Sequence, residues 1–250
     1  MNDYTEGHYG YTIFEKAADQ ILKDKNIPTI FKGISVDFFD EIDKKIAPTQ
    51  LFSHPIICCF SKKPDVLSQW RGYAANATGF SIGFSTSALK QMPITLLEVE
   101  YDPEKQIAEM REALLTLYLA STDNSPQGKS FFRDGSSILY FYLLGFKSSA
   151  FSEEQEVRCI HSLAVAQKGP PRVYFEDPTS GDEIPNKIKF RTNDGGIVTY
   201  VDIPLATTEN AITEVYLGPK NTNGVGNVLY PLHAAGFADF EIAQSSASYR

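Results

Sequence analysis

Three charged residues, Glu154, Glu156 and Arg158, fall at alternate positions in the segment from Phe146 to Ile160, FKSSAFSEEQEVRCI. A β-strand has a side-chain period of two. A strand here therefore predicts all three on one face, with Gln155, Val157 and Cys159 on the other. Two carboxylates beside a guanidinium on a rigid element suit glycosyl transfer. One carboxylate would grip a ribose hydroxyl and stabilise a developing oxocarbenium ion, and the other would position or activate the acceptor. Arg158 would orient a carboxylate or hold a phosphate. The same pattern equally describes a solvated strand face on which Arg158 balances two like charges.

A second group lies earlier in the chain. Cys59-Phe60-Ser61 ends an apolar run, and the single tryptophan, Trp70, follows with Tyr73. These residues could form an aromatic wall for a flat ring, with Ser61 presenting a hydroxyl. Alternatively Trp70 is a core anchor under a loop and Ser61 caps the next helix. Lys147 could bind a phosphate or simply complement a helix C-terminus. Gly218-Pro219-Lys220, followed by Gly224-Val225-Gly226, is a weak phosphate-cradle signal, with neither a P-loop lysine nor a third fingerprint glycine. The structural alternative is a turn and a helix start.

Other chemistries find no support. There is no GxSxG for a serine hydrolase and no CxxC, HExxH or paired-histidine spacing, so no metal is expected. The four histidines are scattered, and the three cysteines, Cys58, Cys59 and Cys159, suit reduced thiols of a cytoplasmic protein. The net charge of −8 argues against a broad nucleic-acid backbone binder, although a nucleic acid could still act as an acceptor. No run of about 18 apolar residues is present to cross a membrane, and the first residues, MNDYTEGHYGYTIF, do not form a secretory signal. At 42% hydrophobic residues the chain can build a sizeable core.

The elements that must position these residues follow from periodicity. Residues 7–24 and 35–46 read as amphipathic helices, the second with Ser35 as N-cap. Residues 56–61 and 79–84 read as strands paired with each other, with a short helix between them capped by Asp65. A strand at 94–101 precedes a helix opened by Pro103. Residues 121–130 read as a surface loop, and 134–147 as a helix leading to the Glu154 strand. Short strands at 172–176, 187–192, 197–203 and 211–217 come next, with turn signals at 177–178, 180–182 and 193–196. A helix at 224–235 and a strand at 240–243 close the chain. Helices first and mostly antiparallel strands later predict one α+β domain over residues 1–250.

The ordered words of the chain resemble the bacterial domain-of-unknown-function 2971 family. They are Asn2, Asp3 and Glu6; Cys59-Phe60-Ser61; Trp70, Tyr73 and Ala74; Gly79, Ile82 and Phe84; Lys147; Glu154, Glu156 and Arg158; Gly218-Pro219-Lys220; and Ser245, Tyr249 and Arg250. The family pattern is similar in outline to ADP-ribosyltransferase-like domains. That likeness implies a transferase or NAD glycohydrolase with NAD as substrate, acting as a toxin or phage-defence effector. Glu156 would be the catalytic glutamate, Glu154 its partner carboxylate, Ser61 the second-strand residue, and Trp70 or Tyr73 the stacking aromatic. Family members usually carry a further strand-helix-strand segment before the Asn-Asp word, and this chain begins at Met1-Asn2-Asp3. The resemblance therefore also implies a sheet that lacks its first strand. Such a sheet has an open edge, through which a protein partner or a second copy could bind. On that alternative the chain is a non-catalytic binding or scaffold module of the same fold.

Overall fold

Apolar residues at helical spacing in the N-terminal segment form α1 (Tyr4–Lys23), with Ile13, Phe14, Ala17 and Ile21 buried along one face. The computed structural model describes residues 4–167, 173–176, 188–193, 196–205, 207 and 209–249. Asn2, Asp3 and Arg250, and the turn signals at 177–178, 180–182 and 194–195, lie outside the described residues. In chain order there follow α2 (Val36–Phe52), β1 (Ser53–Ser61), α3 (Leu67–Tyr73), β2 (Phe80–Phe84), α4 (Thr86–Leu89) and β3 (Thr95–Glu98). Next come α5 (Pro103–Thr122), α6 (Pro126–Leu143), β4 (Glu156–Gln167), β5 (Val173–Glu176), β6 (Ile188–Asn193) and β7 (Gly196–Val201). The last elements are β8 (Ile212–Leu217), α7 (Gly226–Ala234) and β9 (Glu241–Gln244). The class is α+β, as the sequence predicts.

Two compact units are present. The first comprises Met1–Ile56, Glu98–Ser152 and Ser162–Asn186. Its core joins α1, α2, α5 and α6 through Ile13, Phe14, Ile42, Ile46, Met110, Leu114, Leu139 and Leu143. Helices α1 and α6 meet at Gly10, where a Cβ would stand 2.4 Å from the carbonyl oxygen of Leu143. Only a glycine admits that approach. Gln106, fully buried in this unit, has its side-chain amide satisfied. Gln106 donates from Nε2 to the carbonyls of Glu100 (2.6 Å) and Lys147 (2.8 Å), and its Oε1 accepts from the Tyr9 hydroxyl (2.9 Å). The segment read as a loop at 121–130 is mostly helical. Ser125 accepts from the amide of Gly128 as N-cap and Pro126 takes the first turn, so α6 begins eight residues before Asp134.

The second unit comprises Ile57–Leu97, Glu153–His161 and Lys187–Arg250. Its three-stranded sheet has the order β2-β8-β9, with β2 antiparallel and β9 parallel to β8. The pairing of β2 with β1 that sequence proximity suggests does not occur; β1 lies beside β4 in the order β1-β4-β3. Ile212, Val215 and Leu217 on β8 pack with Val228 and Leu232 of α7 and with Phe84, Phe240 and Ile242. Alternation along β8 puts Val215 and Leu217 on the covered face. The register shifts between Gly83 and Phe84, so that Phe84 pairs with Ile212, and this bulge leaves Thr213 exposed while Ile212 is buried. The hairpin β6–β7 also belongs to this unit.

Candidate functional site

Of the three alternate charges, two share the strand and one does not. β4 starts at Glu156. Gln155 just before it has a φ of 43°, which breaks the extended backbone, and Glu154 ends a 3-10 turn, Ser149–Glu154. The expected three-residue face is thus shortened by a left-handed residue that its side-chain pattern did not announce. Glu156 and Arg158 keep their common side. Arg158 donates from Nε to Oε1 and from Nη2 to Oε2 of Glu156, both at 3.1 Å. The residues are 3% and 1% exposed, which removes the reading of an open solvated strand face. A bidentate pair of this kind fixes both planes and satisfies both carboxylate oxygens.

Ser61 and Glu156 lie one residue to either side of a cross-strand bond from the Lys62 amide to the Gln155 carbonyl (3.0 Å). The Ser61 hydroxyl accepts from the amide of Lys63 (3.2 Å), a local turn contact. Trp70 is buried, and its indole N–H donates to Oδ1 of Asp65 (2.6 Å). It therefore anchors α3, and Tyr73, 61% exposed, is the aromatic of that helix turned outward.

Asp65 does more than cap. Val66 holds the N-cap position of α3 without a side-chain bond. The Asp65 carboxylate instead accepts from the hydroxyl of Ser245 (2.5 Å) and from the amide and hydroxyl of Ser246 (2.8 Å each). Burial alone would raise its pKa, but the donors from Ser245, Trp70 and Ser246 together outweigh burial and hold it below the usual carboxylate value. The spacing of Asp65 and Trp70 hinted at a helix start; nothing local in the sequence pointed to a partner 180 residues away.

The words around Ala74, Gly79, Gly218-Pro219-Lys220 and Tyr249 also converge in this unit. Ala75, Asn76 and Ala77 hold φ values of 47°, 56° and 71°, a left-handed run that costs on the order of 1 kcal/mol per non-glycine residue. Tertiary bonds hold it in place. Lys220 donates its amide to the Ala77 carbonyl (2.9 Å), Gly218 donates to Gly79 (3.0 Å), and the Asn221 amide group donates to the carbonyls of Thr78 and Gly79. The Tyr249 hydroxyl bonds Oδ1 of Asn76, and its ring lies under Lys220 and Arg71. Gly218-Pro219-Lys220 thus serves as a clamp on the 75–79 loop, the structural alternative to a phosphate cradle.

Lys147 belongs to the first unit. It is buried beyond the end of α6, with its ammonium 4.9 Å from the centre of the Phe151 ring. The Cys159 thiol is buried, and desolvation pushes it up to about 11, with Cys58 adding to the rise. Among the described residues no group of three or more His, Cys, Asp or Glu could hold a metal ion, and no helix is long and apolar enough to cross a membrane.

The fold and the paired charges define an α+β protein with a buried Glu–Arg couple on a central strand. Residues 69–159 match the sequence model described as Protein of unknown function (DUF2971). This supports the resemblance to the domain-of-unknown-function 2971 family over a span that runs from Gln69, through α5 and α6, to the Glu156–Arg158 strand. No curated protein and no solved structure matches the chain.

Proposed function

We propose that the chain is a non-catalytic binding module that takes an extended segment of a protein partner along β2. The edge of the second unit's sheet carries this reading. Among the described residues β2 is paired on one side only, to β8. Phe80 and Ile82 stand opposite Leu217 and Val215, both core residues, so the four share the apolar face. Yet Phe80 and Ile82 are each 43% exposed. The apolar face runs past its own cover, and the strand Phe-Ser-Ile-Gly-Phe has neither a charge nor a proline to guard the edge. An added strand with apolar residues at alternate positions would meet the outer backbone groups of β2 and extend that face. A cytoplasmic location suits its three reduced cysteines.

The Glu156–Arg158 couple supports a non-catalytic role, because a carboxylate must leave its buried guanidinium before it can grip a ribose. The test is selection from a displayed library of ten-residue peptides against the whole chain and against Ile82→Lys. Peptides with alternating apolar residues that bind the natural chain and lose at least about tenfold in affinity on Ile82→Lys support the reading. Recovery of no such peptide overturns it, as does self-association of the chain that Ile82→Lys abolishes, which would make a second copy the occupant.

A second reading starts from the cost of burying that couple. Two desolvated charges on a strand are a liability for stability, and such groups concentrate at functional sites. On this reading the chain is an NAD-using ADP-ribosyl or glycosyl transferase or an NAD glycohydrolase, a toxin or phage-defence effector. Glu156 would be catalytic, with Glu154 and Arg158 beside it, and Ser61, Trp70, Tyr73 and Lys147 would bind substrate. Release of nicotinamide from NAD, lost in a folded Glu156→Gln protein, would establish it. No release from the natural chain would remove it.

A further inference from the structure

We infer that the first unit carries a binding site for a phosphate dianion, free or borne by a small molecule, in the cleft between α2 and the junction of α5 and α6. The cleft has a volume of about 550 Å³, within the range of roughly 300–1,000 Å³ usual for small-molecule sites. Three cations line it, Lys45 from α2 and Lys129 and Arg133 from α6, together with Ser121, Ser130 and Phe132; no carboxylate does.

The state of each cation decides what the cleft can hold. Lys45 is half-buried, with its ammonium 5.6 Å from the centre of the Phe132 ring. That ring is held in turn by a stacked contact with Phe38, so the lysine stem lies on a fixed wall. Glu41, one turn earlier on the same helix, is bonded to Lys44 (2.7 Å). Neither Lys45 nor Lys129 forms an ion pair among the described residues. Arg133 is bonded to Asp134 through Nε and Nη2, which leaves Nη1 for a ligand. The start of α6 adds little, because Asp123 already bonds the Ser125 amide there (2.8 Å). The two lysines therefore carry the attraction.

Two unpaired ammonium groups about a cleft of this size suit a compact doubly charged oxyanion better than a lone carboxylate. A nucleic-acid backbone is disfavoured by the net charge of −8. Phe132 gives one apolar wall, against which the organic part of a phosphorylated molecule could lie.

The experiment is isothermal titration of the full chain with inorganic phosphate, pyrophosphate and adenosine monophosphate. It is repeated on the double variant Lys45→Gln/Lys129→Gln and at raised salt. Binding of at least one probe, weakened about tenfold or more in the double variant and weakened by salt, is the expected result. Tighter binding of the nucleotide would identify a borne phosphate, and equal or tighter binding of inorganic phosphate a free one. No heat with any probe at millimolar concentration overturns the inference, as does undiminished binding by the double variant. Thermal melting of both proteins separates loss of the site from loss of the fold. Arg133→Gln provides a single-site variant away from the Lys45 packing.

Discussion

Arg158 and Glu156 form a two-point ion pair on one strand, with Nε–Oε1 and Nη2–Oε2 both 3.1 Å and both residues almost wholly buried. The pair is intrinsic to β4, since residues two apart on a strand share a face. It therefore forms as soon as the strand does and holds its charges rigidly against each other.

Removal of one partner leaves the other charged and desolvated. Arg158→Met and Glu156→Gln are each expected to destabilise the chain by about 3–5 kcal/mol. A double replacement by apolar residues of similar volume should recover most of that loss. Urea unfolding of the natural chain, the two single variants and the double variant measures it. Additive single effects would show that the two groups do not act as a pair.

The Asp65 carboxylate makes a prediction about pH. Burial would raise its folded pKa, but four donors outweigh burial and hold it below the usual carboxylate value. A depressed acid contributes stability that is fully present above its unfolded pKa and is lost as pH falls through the folded value. Below about pH 4 the natural chain should therefore lose stability more steeply than Asp65→Asn. Melting temperature against pH from 6 to 2 checks this. Trp70, the only tryptophan, donates to Asp65, so its fluorescence should report the loss of the contact directly.

Much of the helical frame was legible in the sequence because periodicity reports burial directly. Phe14, Ala17 and Ile21 of α1, and Phe39, Ile42 and Ile46 of α2, line the first unit's core as their spacing requires. Strand partners were less legible, since a strand's pattern gives its face and not its neighbour. β2 joins β8, which lies more than a hundred residues on, rather than β1. The candidate site shows the same divide. Glu156 and Arg158 follow the period of two, but Glu154 leaves it through one left-handed residue, Gln155. Asp65 gains its role from Ser245 and Ser246, a contact only the fold creates. The cleft at Lys45 and Lys129 was hidden because residues 121–130 read as loop, where Ser125 and Pro126 in fact start a helix.

The buried thiol of Cys159 should be unreactive. With its pKa pushed up to about 11 by desolvation first and Cys58 second, almost none is thiolate at neutral pH. Iodoacetamide at pH 7.5 should leave Cys159 unmodified in the folded chain and label it fully in denaturant, as read by peptide mass mapping. Rapid labelling of Cys159 in the native state would contradict both its burial and its protonated form.

The clamp on the left-handed loop predicts opposite signs for two small substitutions. At Gly218 a Cβ would stand 2.4 Å from the carbonyl oxygen of Ala77, which also accepts the Lys220 amide. The backbone there cannot yield without loosening that bond. Gly218→Ala should therefore destabilise the chain by about 2 kcal/mol or more. At Ala75 the balance reverses. Its φ of 47° is one that an L-residue adopts at a cost and glycine adopts freely, and the side chain is exposed, so no packing is lost. Ala75→Gly should be neutral to stabilising, by up to about 1 kcal/mol. Chemical denaturation of both variants decides the point, and destabilisation by Ala75→Gly would show that the loop is not held in the left-handed region in solution.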